Sequence, residues 1–145
     1  MYQIYPDQGL TTMLLRIVEN NGNGLTWALF TNDVDVDEAS VFADFVLADA
    51  AWGRVNLHAA DFILSQVVAH VGTIQANAIL YTNSEAVPVN CYGYVVIDVG
   101  AQKIYTAARF DDAPRVVAPG GQTAVQAILG DYSESFVPLI DGGEF

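Results

Sequence analysis

Few side chains in this sequence can do chemistry, and their spacing suits no known template. His58 and His70 are its two histidines, and twelve positions separate them. They form neither the H-E-x-x-H pair of a zinc hydrolase nor a His-x-His pair, and read as structural histidines. No G-x-S-x-G turn presents a nucleophilic serine. No G-x-G-x-x-G or G-x-x-x-x-G-K-[ST] loop is present to cradle phosphate. Lys103 is the single lysine, so Schiff-base chemistry would rest on it. It sits beside an expected turn, where a lysine is ordinarily solvated. Cys91 is the single cysteine, which rules out an intrachain disulfide and a multi-cysteine zinc site. It reads as a small buried hydrophobe. Templates for nucleophile, base and cofactor are missing, so the sequence reads as a non-enzyme with no cofactor and no metal.

The most suggestive cluster is acidic: Asp33, Asp35, Asp37, Glu38 and Asp44. Its first three members match the D-x-D-x-D opening of a calcium loop. The match then fails, because the sixth position needs glycine and holds Glu38. The twelfth wants a bidentate glutamate and holds Asp44. Close carboxylates repel one another unless they are solvated or neutralised. A wet acidic face is the favoured reading, with a looser cation bridging an interface as the alternative. Asp111-Asp112, just before Pro114, reads as a turn rather than a catalytic pair.

Charge narrows the partners. The 145 residues include 5 Lys plus Arg and 17 Asp plus Glu, for a net charge of -12. Such a chain is repelled by phosphate backbones and by anionic lipid, so no direct nucleic-acid or membrane binding is expected. The first ten residues, MYQIYPDQGL, lack the basic and apolar regions of a signal peptide. Yet 52% of residues are hydrophobic, and 62–84, 86–97 and 116–130 contain no Asp, Glu, Lys or Arg. Uncharged, strand-prone stretches are aggregation hazards when exposed. Either the core is large for this length or partner chains cover part of the surface, and the second is favoured.

The elements that hold these residues are mostly strands. Met1–Gly9 reads as an N-terminal arm. Leu10, Met13, Leu14, Ile17 and Val18 follow helical spacing, and Asn20-Asn21-Gly22-Asn23-Gly24 stops the helix. Strands are expected at Leu25–Thr31, Val55–Leu57, Phe62–Val68, Ala76–Tyr81 and Val89–Asp98. Val41–Leu47 is another short apolar run. Val34 and Val36, alternating with aspartates, read as an edge-like or loop-like ribbon. Val99–Gln102 joins Val89–Asp98 to Lys103–Phe110 as a hairpin. Pro119-Gly120-Gly121 separates Arg115–Ala118 from Thr123–Leu129. Eight or nine short strands with regular turns predict a mainly β fold, a β-sandwich or jelly-roll-like domain over 10–130 with a short leading helix. Extended arms are expected at 1–9 and 131–145. Trp27, Phe30, Trp52, Tyr94 and Phe110 are expected in the core.

Four segments together carry a resemblance: Leu29-Phe30-Thr31-Asn32-Asp33, Asp44-Phe45 to Trp52-Gly53, Tyr92–Val96 through Ala108-Arg109-Phe110, and Pro119-Gly120-Gly121. Over roughly Leu10 to Leu129 the chain resembles small virion proteins of tailed bacteriophages. The resemblance implies a β-sandwich that is a repeated component of a phage particle. The expected role is a head decoration or cement protein, made soluble in the host cytoplasm and then bound in the virion. Its expected partners are the major capsid protein or other virion proteins, and further copies of itself in a homo-oligomer. Contacts to neighbouring chains are expected from Tyr2, Ile4 and Tyr5 in one arm and Phe136, Leu139, Ile140 and Phe145 in the other. The alternative is a tail, baseplate or fibre component that binds a receptor or glycan.

Overall fold

The computed structural model describes residues 7–130. The seven arm residues expected at an interface (Tyr2, Ile4, Tyr5, Phe136, Leu139, Ile140 and Phe145) lie outside the described residues. Helix α1 spans Asp7–Glu19. It begins three residues before Leu10, with Asp7 in its first turn, where a carboxylate meets the positive end of the helix dipole. Asn20 and Asn21 end it in the left-handed region, at φ 51° and 54°, which asparagine tolerates better than most residues. The Gly24 N–H donates to the Glu19 carbonyl at 2.9 Å. The Asn20 side chain donates to the Gly24 carbonyl at 3.1 Å and closes the turn.

The strands follow as β1 (Leu25–Phe30), β2 (Arg54–Leu57), β3 (Phe62–Val68), β4 (Val71–Ala76), β5 (Ile79–Thr82) and β6 (Val89–Cys91). Then come β7 (Gly93–Asp98), β8 (Lys103–Arg109), β9 (Arg115–Val117), β10 (Gln122–Val125) and β11 (Ile128–Gly130). A one-turn helix, α2 (Asp49–Trp52), leads into β2. All pairings are antiparallel, in sheets ordered β2-β1-β7-β8, β11-β4-β3, β10-β5 and β6-β9. The fold is mainly β with a short N-terminal helix, as the sequence predicts.

Strand β1 is buried along its whole length. Its period-two alternation therefore feeds two cores. Leu25, Trp27 and Leu29 face a large cluster with Phe62, Ile74, Tyr81, Val96, Val125 and Leu129. This cluster packs the four-stranded sheet against β3, β4, β5, β10 and β11 as a sandwich-like layer, and Leu14 and Val18 of α1 close one end. The Trp27 and Phe62 rings lie 6.0 Å apart. The Tyr81 hydroxyl crosses the layer to donate to the Trp27 carbonyl at 2.8 Å. Burial pushes that phenol well above its ordinary pKa, so it remains a donor.

Ala28 and Phe30 face the other way, into a second cluster with Phe45, Val95 and Ile97. The acidic ribbon covers this side. Val34, Val36, Phe42 and Leu47 pack inward, while Asp33, Asp35 and Asp37 are exposed. The alternation seen in the sequence is thus a loop with one wet face. Val41–Leu47 is largely not a strand. Phe42–Asp44 is a 3₁₀ turn held by the Val41 N–H donating to Asp44 Oδ2 at 2.8 Å, and Leu47 alone bridges to Phe30.

Eleven strands form where eight or nine were expected, because three apolar runs each split between sheets. Ala76–Tyr81 is the end of β4 and the start of β5, parted at Asn77-Ala78. Val89–Asp98 breaks at Tyr92, so β6 pairs with β9 and β7 with β1 and β8. Thr123–Leu129 parts at Gln126-Ala127. Hydrophobic periodicity reports the buried face, not which sheet a strand joins. Of the expected core aromatics, Trp27, Phe30 and Trp52 are buried, whereas Tyr94 and Phe110 are half-buried against the main cluster.

Gly93 opens β7 where a Cβ would run into the Ala108 carbonyl oxygen and the Phe30 ring. Both are fixed by the sheet and the core. Gly93→Ala should lose about 1–3 kcal/mol, the usual range for overpacking. Urea unfolding should show a lower midpoint with an unchanged m-value.

Candidate functional site

The polar chemistry of the molecule is spent on holding it together. Three of the five basic residues tie a strand to a neighbouring loop or helix. Arg54 makes a two-pronged contact with Asp49 at 2.8 and 2.9 Å, and these bonds raise its pKa. Arg109 pairs with Asp33, donates to the Val34 carbonyl at 3.2 Å and lies 5.3 Å from the Tyr92 ring centre. It thereby clamps the acidic ribbon to the β7–β8 hairpin. Arg115 stacks 3.7 Å over Phe110 and donates to Asp112 at 2.8 Å, Thr123 Oγ1 at 3.1 Å and the Ala124 carbonyl at 3.0 Å. The Arg115 hydrogen bond holds the Asp112 carboxyl below its usual range. Arg16 and Lys103 pair with no carboxylate among the described residues.

The acidic cluster does not converge. Asp33 serves Arg109, Asp37 accepts from the Ala39 N–H at 2.9 Å within its own turn, and Asp44 caps Val41. Among the described residues, no three His, Cys, Asp or Glu side chains gather to hold a metal ion. The histidines are apart as well. His58 lies 3.6 Å from Glu19, and His70 Nδ1 lies 3.0 Å from Asp7. Cys91 is fully buried, and burial raises its thiol to about 11.

One polar centre escaped the sequence reading. Asn83 is fully buried, and its amide donates to the Val87 and Val117 carbonyls at 2.9 and 3.0 Å. Its Oδ1 accepts from the Glu85 N–H at 2.9 Å, and its backbone bonds Gly120 and Gly121. It locks the loop after β5 to the Pro119-Gly120-Gly121 turn. The Asn-Ser-Glu sequence signals a turn there, but not that the amide would be buried.

What remains is a surface. Strands β3, β4, β5, β10 and β11 contain no Asp, Glu, Lys or Arg. Inner residues of β4, β5, β10 and β11 fill the main core together with Phe62 of β3, whereas Ser65, further along β3, is exposed. The outer residues of these strands point away from that core: Leu64, Gln75 and Ile128 share a row, Gln66 lies opposite Thr73, and Val68 opposite Val71. Ile63 is the extra residue of a bulge and is 70% exposed. Leu80 is exposed on β5. No element among the described residues covers this outer side. An open cleft of about 290 Å³ lies elsewhere, lined by Arg16, Asn20, Asn21, Asp98 and Tyr105 among others. Its single aromatic ring makes no flat platform. No helix among the described residues is long and apolar enough to cross a membrane. Comparison with protein-family models, curated proteins and solved structures finds no match to the chain.

Two titrations check this electrostatic picture. His70 is raised above 6.5, first by its hydrogen bond to Asp7 and then by the charge there. Any stabilisation from this pair is complete below the unfolded histidine value and lost as pH rises through the folded one. NMR should show Asp7→Asn lowering the His70 pKa. Cys91 should resist thiol reagents at pH 8 in the folded protein and react on unfolding.

Proposed function

We propose that this chain is a non-enzymatic structural protein of a bacteriophage particle, a decoration or cement protein bound to the head lattice. The observation that carries the reading is the division of the surface. The net charge of -12 lies outside five strands whose outer side is uncharged and sets Leu64, Val68, Leu80 and Ile128 among amides and hydroxyls such as Gln66, Thr73 and Gln75. Acidic charge keeps free copies apart and soluble before assembly. The uncharged side gains about 25 cal/mol per Å² of apolar area once another polypeptide covers it. Weak individual contacts suffice on a repeating lattice, because after the first contact the others become intramolecular. Binding only the assembled shell then stabilises it by mass action. The phage resemblance of the Leu29–Asp33 and Tyr92–Phe110 segments points the same way. The arm residues Tyr2, Ile4, Tyr5, Phe136, Leu139, Ile140 and Phe145 supply anchors in this reading.

The second reading, a tail or fibre component that binds glycan, draws on the cleft beside Tyr105. A sugar platform normally offers a flat aromatic face, and this cleft supplies Tyr105 alone, so the uncharged outer side of the strands favours the first reading. Co-sedimentation with phage heads lacking this protein tests the proposal. The full chain should bind the heads and raise their melting temperature. Removing 136–145 should weaken binding at least tenfold, about 1.4 kcal/mol. Binding to isolated tails but not to heads would favour the second reading.

A further inference from the structure

Among the described residues, the open edge of β3 is the least protected sheet edge. Natural sheets guard their edges with charges, prolines, bulges or short strands. At the opposite edge of the same sheet, β11 is three residues long. Strand β3 is seven residues, FILSQVV, with neither charge nor proline, and its single bulge sits at the first residues. Beyond the bulge, Leu64 to Val68 pairs regularly with β4 on one side. On the other side no strand lies among the described residues. The hairpin turn Ala69-His70, with both residues at positive φ (51° and 64°), keeps Val68 opposite Val71, so pairing with β4 runs to the end of the strand.

We propose that this edge pairs with the same edge of a second copy, antiparallel and two-fold symmetric about Gln66. The occupant follows from self-complementarity and charge. With Gln66 on the axis, Gln66 meets Gln66, and Leu64 of each copy lies opposite Val68 of the other. Apolar thus faces apolar on the outer side, and amide faces amide. Centring on Ser65 instead would set Leu64 against Gln66. Two copies that each carry -12 repel everywhere except where charge is missing, and the longest uncharged stretch begins at Phe62. A two-fold axis perpendicular to the sheet keeps outer faces together, giving a six-stranded sheet β11-β4-β3-β3-β4-β11. Helix α1 packs on both β4 and β3, but on their inner face, with Leu10 against Gly72 on the side of Ile74 and Ala76, so it lies across the face of the sheet and not along the β3 edge. The pairing goes beyond the decoration role and holds whether the dimer binds a head, a tail or neither.

The seam is short, so the dimer should dissociate in roughly the micromolar range. Sedimentation velocity of the full chain should show reversible dimers. Leu64→Lys and Val68→Lys place like charges across the seam and should weaken association at least tenfold, with circular dichroism unchanged. Leu80→Lys, on another sheet, should leave association intact. Gln66→Cys puts a thiol on the axis and should cross-link two copies under mild oxidation, whereas Thr73→Cys should not. Cys91 is buried and does not compete. A chain monomeric to about 100 µM, well above that range, overturns the proposal. So does a dimer that survives both lysines and leaves Gln66→Cys uncross-linked.

Discussion

The architecture depends on one strand that is covered on both faces. β1 is buried along its whole length, with Thr26 as its single polar side chain and Asn56 donating to it, so the chain must supply a layer on each side. The acidic ribbon supplies one, packing Val34, Val36, Phe42 and Phe45 against Phe30 and turning its aspartates outward. Strands β3, β4, β5, β10 and β11 supply the other, pinned by the Tyr81 hydroxyl on the Trp27 carbonyl. That arrangement spends their inner faces. Nothing among the described residues then reaches their outer faces.

Charge placement follows from the same constraint. The ribbon can be acidic because it lies at the surface with Arg109 to anchor it. The outer strands carry no charge, although nothing in the core demands that of residues such as Leu64, Val68 and Leu80. A soluble monomer ordinarily places charges or polar groups at such positions. Apolar residues there make sense if another polypeptide covers them, and that is the physical basis of the proposed role.

Much of this was legible in the sequence. The spacing of Leu14 and Val18 marked α1, the asparagine-glycine run marked its end, and the alternation around Asp33–Asp37 marked a ribbon with one wet face. The hairpin from Gly93 to Arg109 was equally plain. Sheet membership was not, because Val89–Asp98 looks continuous until Tyr92 is seen to hydrogen-bond Phe30 and Phe110. The β4 strand was missed because Gly72 and Ala76 are poor strand markers, chosen for close packing instead. For the candidate surface, the sequence showed that 62–84 lacks charge. It could not show which of those side chains face outward, since that depends on pairing with β4 and β11. The burial of Asn83 also depends on contacts distant in sequence.

The most direct measurement is the number of copies of this chain in a purified particle, by quantitative mass spectrometry against the major capsid protein. A decoration protein on a symmetric lattice should be present in a fixed ratio to that protein, on the order of hundreds of copies. A handful of copies, or none, would contradict the account.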